Sequence, residues 1–110
     1  MNKKIAIIGG GNLGTAIAEG LIVSGFSLPE HIIISKRNIK TLSDIEAKGV
    51  LVTANNEEAL SYADLVIVAV KPYQIKDVVV SLRDKLDPQR HILVSVVTGV
   101  PILEIQEWTD

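Results

Sequence analysis

The sequence contains no cysteine, so disulfides, thiolate chemistry and cysteine metal clusters are closed to it. Aromatic residues are almost as scarce, with one Trp, one Phe and two Tyr among 110 residues. The core must therefore be aliphatic, which suits parallel strands covered by helices on both faces. An excess of charge of one sign is missing too. The formal net charge is −2 and no basic run occurs, so nothing in the balance points to nucleic acid. No apolar run is long enough to cross a bilayer. The short one that follows Met1 to Lys4 breaks at Gly9, too early for the core of a secretion signal. These absences predict a single soluble, cytoplasmic α/β domain over residues 1–110, with neither membrane nor nucleic acid as a partner. Histidines number two, and both His31 and His91 stand just ahead of expected strands, so no metal site is expected.

What the chain does contain is concentrated near its start. Residues Ile5 to Gly14 read Ile-Ala-Ile-Ile-Gly-Gly-Gly-Asn-Leu-Gly, an apolar run followed by Gly9, Gly11 and Gly14 in GxGxxG spacing. A helical pattern through Leu13, Ile17, Gly20 and Leu21 comes next, with Glu19 on the wet face. A strand, a glycine turn and a helix in that order give the spacing its meaning as a dinucleotide fingerprint. Gly9 allows the tight turn, Gly11 the approach of backbone to a diphosphate, and Gly14 the close packing of helix on sheet. The diphosphate, beside Asn12 and Leu13, would accept hydrogen bonds from the unpaired N–H groups of the helix start.

The same alternation continues along the chain. Gly25 is placed to close the first helix. A second strand is predicted over His31 to Ser35, and a helix capped by Asn38 carries Ile39, Leu42 and Ile45 as far as Gly49. Val50 to Thr53 forms a third strand. A short helix follows, with Asn55 three residues ahead of Glu58 in a capping arrangement. Leu65 to Val70 is a fourth, interior strand. Pro72 then opens a helix whose inward stripe is Ile75, Val78, Val79, Leu82 and Leu86, closed by Asp87 and Pro88. Ile92 to Val96 is the fifth strand, and Pro101 begins a last helix through Ile102 and Ile105. Five βα units predict a Rossmann-type doubly wound parallel sheet in the order 3-2-1-4-5, with the crevice where the order reverses.

The end of the second strand selects the cofactor. NAD enzymes of this fold place a carboxylate there to hold the ribose 2′-hydroxyl. This chain instead has Ser35, Lys36, Arg37 and Asn38, suited to a 2′-phosphate. One charge-assisted contact contributes about 1.5–3 kcal/mol, so NADP is predicted over NAD by about tenfold or more. Around the crevice, Ala69, Val70, Lys71 and Pro72 follow the fourth strand, with a carbonyl or the lysine side chain facing inward. Val97, Thr98 and Gly99 follow the fifth and leave room for a nicotinamide. Asn56 either caps its helix or reaches a ribose. No nucleophile–base pair is visible, and Glu57, Glu58, Asp64, Asp77 and Asp84 read as caps and wet faces.

Taken together, the segments Gly-Gly-Gly-Asn-Leu-Gly-Thr-Ala-Ile-Ala-Glu-Gly-Leu, Asn-Asn-Glu-Glu-Ala, Ala-Val-Lys-Pro and Ser-Val-Val-Thr-Gly-Val resemble the N-terminal domain of the pyrroline-5-carboxylate reductases. The resemblance covers nearly the whole chain and implies an enzyme in which NAD(P)H gives a hydride to the imine of pyrroline-5-carboxylate, forming proline. By position it implies that the fingerprint glycines hold diphosphate and that Ser35, Lys36 and Arg37 hold the 2′-phosphate. Asn56 would touch a ribose, and the loops Lys71-Pro72 and Val97 to Gly99 would border nicotinamide. The family shows Ala-Ala-Gly where this chain has Val97-Thr98-Gly99. It also has a second, all-helical domain that forms the oligomer and much of the substrate pocket. The sequence stops at Asp110, before any such domain, so these residues are expected to be the cofactor half of a longer homo-oligomeric protein and inactive by themselves. Two other readings stand beside this one: an F420-dependent NADP oxidoreductase, and a non-catalytic NADP-binding module.

Overall fold

A computed structural model of the chain describes residues 3–87 and 91–95. Its centre is a parallel sheet of β1 (Ile5–Ile8), β2 (Ile32–Ser35), β3 (Leu51–Thr53), β4 (Leu65–Val68) and β5 (Ile92–Ser95), in the order β3-β2-β1-β4-β5. The predicted order is thus observed. Register is continuous across the sheet: Ile8 lies opposite both Ser35 and Val68, Ser35 opposite Thr53, and Val68 opposite Ser95. All five strands therefore end on one line, and the chain leaves each of them toward the same edge.

Alternation along the strands divides the core in two. Ile5, Ile7, Ile32, Ile34 and Ile67 pack on one face with Ala18, Leu42 and Ile45. Ala6, Ile8, Ile33 and Val66 pack on the other with Ala59, Leu60 and Leu82. The first face is covered by α1 (Asn12–Val23), the second by α3 (Asn56–Tyr62) and α4 (Ile75–Leu82). This is the doubly wound arrangement that the aliphatic composition predicts.

The predicted element boundaries need correction in places. The stretch after Asn38 is not one helix. A 3-10 turn over Ile39–Leu42, whose Lys40 N–H donates to Asn38 Oδ1 at 3.2 Å, leads into the single turn α2 (Ser43–Glu46). Leu42 and Ile45 are buried but Ile39, at the start of the 3-10 turn, is 40% exposed. Likewise Pro72 opens a 3-10 turn, Pro72–Gln74, and α4 begins only at Ile75. His31 ends another such turn, Pro29–His31, and β2 starts at Ile32. Val50 is buried but precedes β3. In α1 the inward residues are Gly14, Ile17, Ala18, Leu21 and Ile22, while Leu13 is 51% exposed and Gly20 faces water. The expectation that Leu13 and Gly20 point inward fails because Gly14 makes the closest approach to the sheet and fixes the rotation of the helix. Ser24 is the C-cap of α1 and Gly25 stands one place beyond it. Pro88, Val96 and the predicted helix from Pro101 lie outside the described residues.

One tie at the amino-terminal edge of the sheet responds to pH. The Tyr62 hydroxyl donates to the Glu30 carbonyl, and the Lys4 ammonium sits 4.7 Å from the centre of its ring. Burial, and secondarily the Glu30 charge, hold the Tyr62 pKa above its usual value of 10.0. A raised pKa stabilises the folded state below the unfolded value and loses that contribution as pH climbs through the folded one. Wild type is therefore expected to lose stability above about pH 10 more steeply than Tyr62→Phe, and denaturant melts across that range measure the difference.

Candidate functional site

The line of strand ends opens on a cleft of about 810 Å³, at the upper end of the range for small-molecule sites. Its floor is the turn after β1. Gly9 adopts φ +109° and its N–H donates to the Ser35 carbonyl at 3.0 Å. A side chain there is strained by its backbone, and a Cβ would stand 2.9 Å from the Ala69 carbonyl oxygen. Gly14 is tighter still, since a Cβ would lie 2.0 Å from the Gly9 carbonyl oxygen. Helix and turn are thus in direct backbone contact. At Gly11 a Cβ would meet no atom of the described residues within 4 Å apart from its chain neighbours, so open space faces the backbone where a diphosphate is expected. Gly11 is the N-cap of α1 and supplies no side-chain hydrogen bond, and the first turn carries no acidic residue. The N–H groups of Asn12, Leu13 and Gly14 belong to that first turn, at the positive end of the helix dipole.

One side of the cleft is the exit from β2. Ser35, Lys36 and Arg37 line it. Lys36 N–H donates to the Thr53 carbonyl at 3.0 Å, which anchors the turn to the neighbouring strand. Lys36 is half-buried and Arg37 exposed. Ser35 Oγ is buried without a hydrogen-bond partner among the described residues, an arrangement that favours a polar ligand group nearby. Asn55 Oδ1 accepts from the N–H groups of Glu57 at 2.8 Å and Glu58 at 3.3 Å. The cap of α3 is therefore Asn55 and not Asn56, because Asn55 alone has the extended backbone of a cap. Asn56 sits at the first helical position and lines the cleft.

The opposite side is the exit from β4. That strand ends at Val68, short of the predicted Val70, since β1 has already turned away at Gly9 and offers no further partner. Ala69 keeps one bond, from its N–H to the Ile8 carbonyl at 2.9 Å, and then Ala69, Val70 and Lys71 line the cleft. Lys71 N–H donates to Gln74 Oε1 at 3.1 Å, and Gln74 N–H returns to the Lys71 carbonyl at 2.9 Å. Both backbone groups of Lys71 take part in this turn, the carbonyl keeping a second lone pair, and the exposed side chain stands at the cleft.

The structure thus brings together Gly9, Gly11, Asn12, Leu13, Ser35, Lys36, Arg37, Asn56, Ala69, Val70 and Lys71 in one cleft. Gly14 supports its floor from behind, and Pro72 begins the turn at its margin. Val97, Thr98 and Gly99 lie outside the described residues. Sequence reasoning missed Gly10, Ala54, Tyr73, Gln74 and Val78, which also line the cleft. Gln74 was detectable as the third residue after Lys71, the spacing at which a Gln side chain reaches back to cap a turn. Among the described lining residues are three cations, Lys36, Arg37 and Lys71, and no carboxylate. Such a cleft attracts anions. Among the described residues no cluster of three or more His, Asp or Glu could hold a metal, and no helix is long and apolar enough to cross a membrane.

Comparison with known proteins places these features in a wider set. The description "NADP oxidoreductase coenzyme F420-dependent" matches residues 4–99. Pyrroline-5-carboxylate reductase 1 of Dictyostelium discoideum is 38% identical over 109 residues, covering 99% of this chain and 20% of its own length. Pyrroline-5-carboxylate reductase 3 of Danio rerio is 36% identical over 104 residues, covering 94% of this chain and 36% of its own. The chain therefore spans between a fifth and two fifths of these relatives. The structure of a pyrroline-5-carboxylate reductase from Coxiella burnetii superposes with a TM-score of 0.91 at 35% identity, over 99% of this chain and 40% of that one. A pyrroline carboxylate reductase of Plasmodium falciparum, solved with NADP bound, shares the fold at a TM-score of 0.84 and 23% identity, over 98% of this chain and 38% of that one.

Proposed function

From the premise that this chain belongs to the NADP oxidoreductase, coenzyme F420-dependent family, we propose that residues 1–110 are the NADP-binding domain of a pyrroline-5-carboxylate reductase. The observation that carries the proposal is the cleft over the glycine turn, with cations on both sides and no carboxylate among the described lining residues. The similarity to pyrroline-5-carboxylate reductases over nearly the whole chain supports that substrate. When bound, NADPH supplies a hydride to the imine carbon of 1-pyrroline-5-carboxylate; the imine nitrogen gains a proton and the product is L-proline. The chain's own residues bind and orient. The first-turn N–H groups of α1 hold the diphosphate. Lys36 and Arg37, with Ser35 behind them, hold the 2′-phosphate. Asn56 contacts a ribose, while the Lys71-Pro72 turn borders the nicotinamide half. The substrate pocket and self-association belong to the length that the relatives have and this chain does not span. A cytoplasmic location fits this role in proline biosynthesis.

Titration with both nucleotides tests the assignment. NADPH is expected to bind at least about tenfold tighter than NADH, and equal affinities would overturn it. These 110 residues alone are expected to bind NADPH yet reduce pyrroline-5-carboxylate negligibly, because orientation of the imine needs a second surface. Robust turnover by them would refute that division. The family description favours a second reading, hydride exchange between NADP and coenzyme F420. Supplying the longer protein with each substrate separates the two: proline formation supports the first, and NADP reduction by reduced F420 the second.

A further inference from the structure

Tyr73 is 80% exposed, yet it lines the cleft. A large aromatic side chain left in water at the rim of a binding site is unusual enough to ask what covers it. Its backbone is well held, since the bonds between Lys71 and Gln74 close the turn on either side of it. No hydrogen bond among the described residues engages its hydroxyl, in contrast to Tyr62, which donates to Glu30. Phe26, the remaining aromatic in the described part, lies beyond the far end of α1. Tyr73 is thus the aromatic ring that the fold presents to the cleft. Ala54, Val70 and Val78, which line the same cleft, are apolar and uncharged, whereas Lys36 and Arg37 make the β2 side cationic.

We propose that Tyr73 is the seat of the adenine base, its ring stacking on one face of the purine while Val70 and Val78 support the other. The inference rests on the NADP reading above and assigns a part of the same cleft. In adenosine 2′-phosphate, base and phosphate are carried by one ribose, so the base must enter a pocket continuous with Lys36 and Arg37. Tyr73, Val70 and Val78 line that same cleft together with Lys36 and Arg37. A purine is flat and uncharged, and its faces gain more from an aromatic ring than from cations spaced for phosphate oxygens. Stacking of one base on one aromatic side chain corresponds to about a fivefold to hundredfold change in affinity on alanine substitution.

The test compares Tyr73→Ala and Tyr73→Phe in calorimetric titrations with NADP+ and with adenosine 2′,5′-bisphosphate, which keeps the base and lacks the nicotinamide half. Tyr73→Ala is expected to weaken both ligands by the same factor, about tenfold, and Tyr73→Phe to hold both within about twofold, since stacking needs the ring and not the hydroxyl. Unchanged melting curves are expected for both variants, because the side chain is exposed. If Tyr73→Ala binds adenosine 2′,5′-bisphosphate as wild type does, the base sits elsewhere. If only NADP+ weakens, the ring serves the nicotinamide half and the proposal falls. If the unaltered protein binds neither ligand, the NADP reading fails and takes this inference with it; binding by the unaltered protein with no loss in Tyr73→Ala removes the inference alone.

Discussion

Gly14→Ala is expected to cost both stability and nucleotide binding, the largest single effect in the chain. The added methyl would stand 2.0 Å from the Gly9 carbonyl oxygen, 3.1 Å from its carbon and 3.3 Å from Ile7 Cγ2. The obstacle is backbone, so no rotamer change relieves it. Nor can Gly9 rotate away cheaply, because its N–H is bonded to Ser35 and its φ of +109° is already in glycine's territory. The start of α1 must therefore lift off the sheet. Overpacking of this kind destabilises by about 1–3 kcal/mol, more where the backbone itself has to move. The same shift misdirects the first-turn N–H groups. Loss of two charge-assisted hydrogen bonds corresponds to at least about a hundredfold in affinity. Gly20→Ala is the control: it sits in the same helix with no atom beyond its own stretch of helix within 4 Å of the added carbon and should be neutral or stabilise by about 0.5–1 kcal/mol. Thermal melts and NADPH titration check both variants. A Gly14→Ala protein that melts and binds normally would show that the helix start does not hold the diphosphate.

The second large effect concerns discrimination between nucleotides. The double variant Lys36→Ala, Arg37→Ala is expected to weaken NADPH by about tenfold to a hundredfold while leaving NADH within about twofold. Both cations follow directly on β2 and line the cleft. Arg37 is exposed, so part of its contribution is screened, and raising salt toward 1 M should narrow the wild-type preference. Arg37→Asp alone should move preference toward NADH, since a carboxylate can accept from the ribose hydroxyls and repels the phosphate. Parallel loss of both nucleotides in the double variant would instead assign the two cations to the diphosphate.

Much of this was legible in the sequence, for a physical reason. Strand existence and order depend on apolar runs and on the repeated βα rhythm, and both are written locally. Boundaries depend on partners. Ala69 and Val70 are as apolar as the strand before them, and they leave the sheet only because Gly9 has removed the neighbour they would pair with. The helix expected after Asn38 had its own warning: Ile39, Leu42 and Ile45 recur every third residue, the period of a 3-10 turn and not of an α-helix. In the site, the glycines, the basic pair and the lysine after β4 were readable because each has a spacing that dictates its chemistry. Tyr73 has none. A lone aromatic acquires meaning only when the fold sets it at the lip of a cleft.

The bond from Gly9 N–H to the Ser35 carbonyl has a consequence for anyone wishing to retune this protein. It bolts the glycine loop, the proposed seat of the diphosphate, to the strand end proposed to tell one nucleotide from the other, while Lys36 fastens that end to Thr53 in turn. The three loop starts behave as one rigid bracket. Changes of specificity should therefore succeed through side-chain exchange at Lys36 and Arg37 and fail through insertions or deletions beside Ser35, because lengthening one arm of the bracket would twist the cradle shared by every nucleotide it accepts.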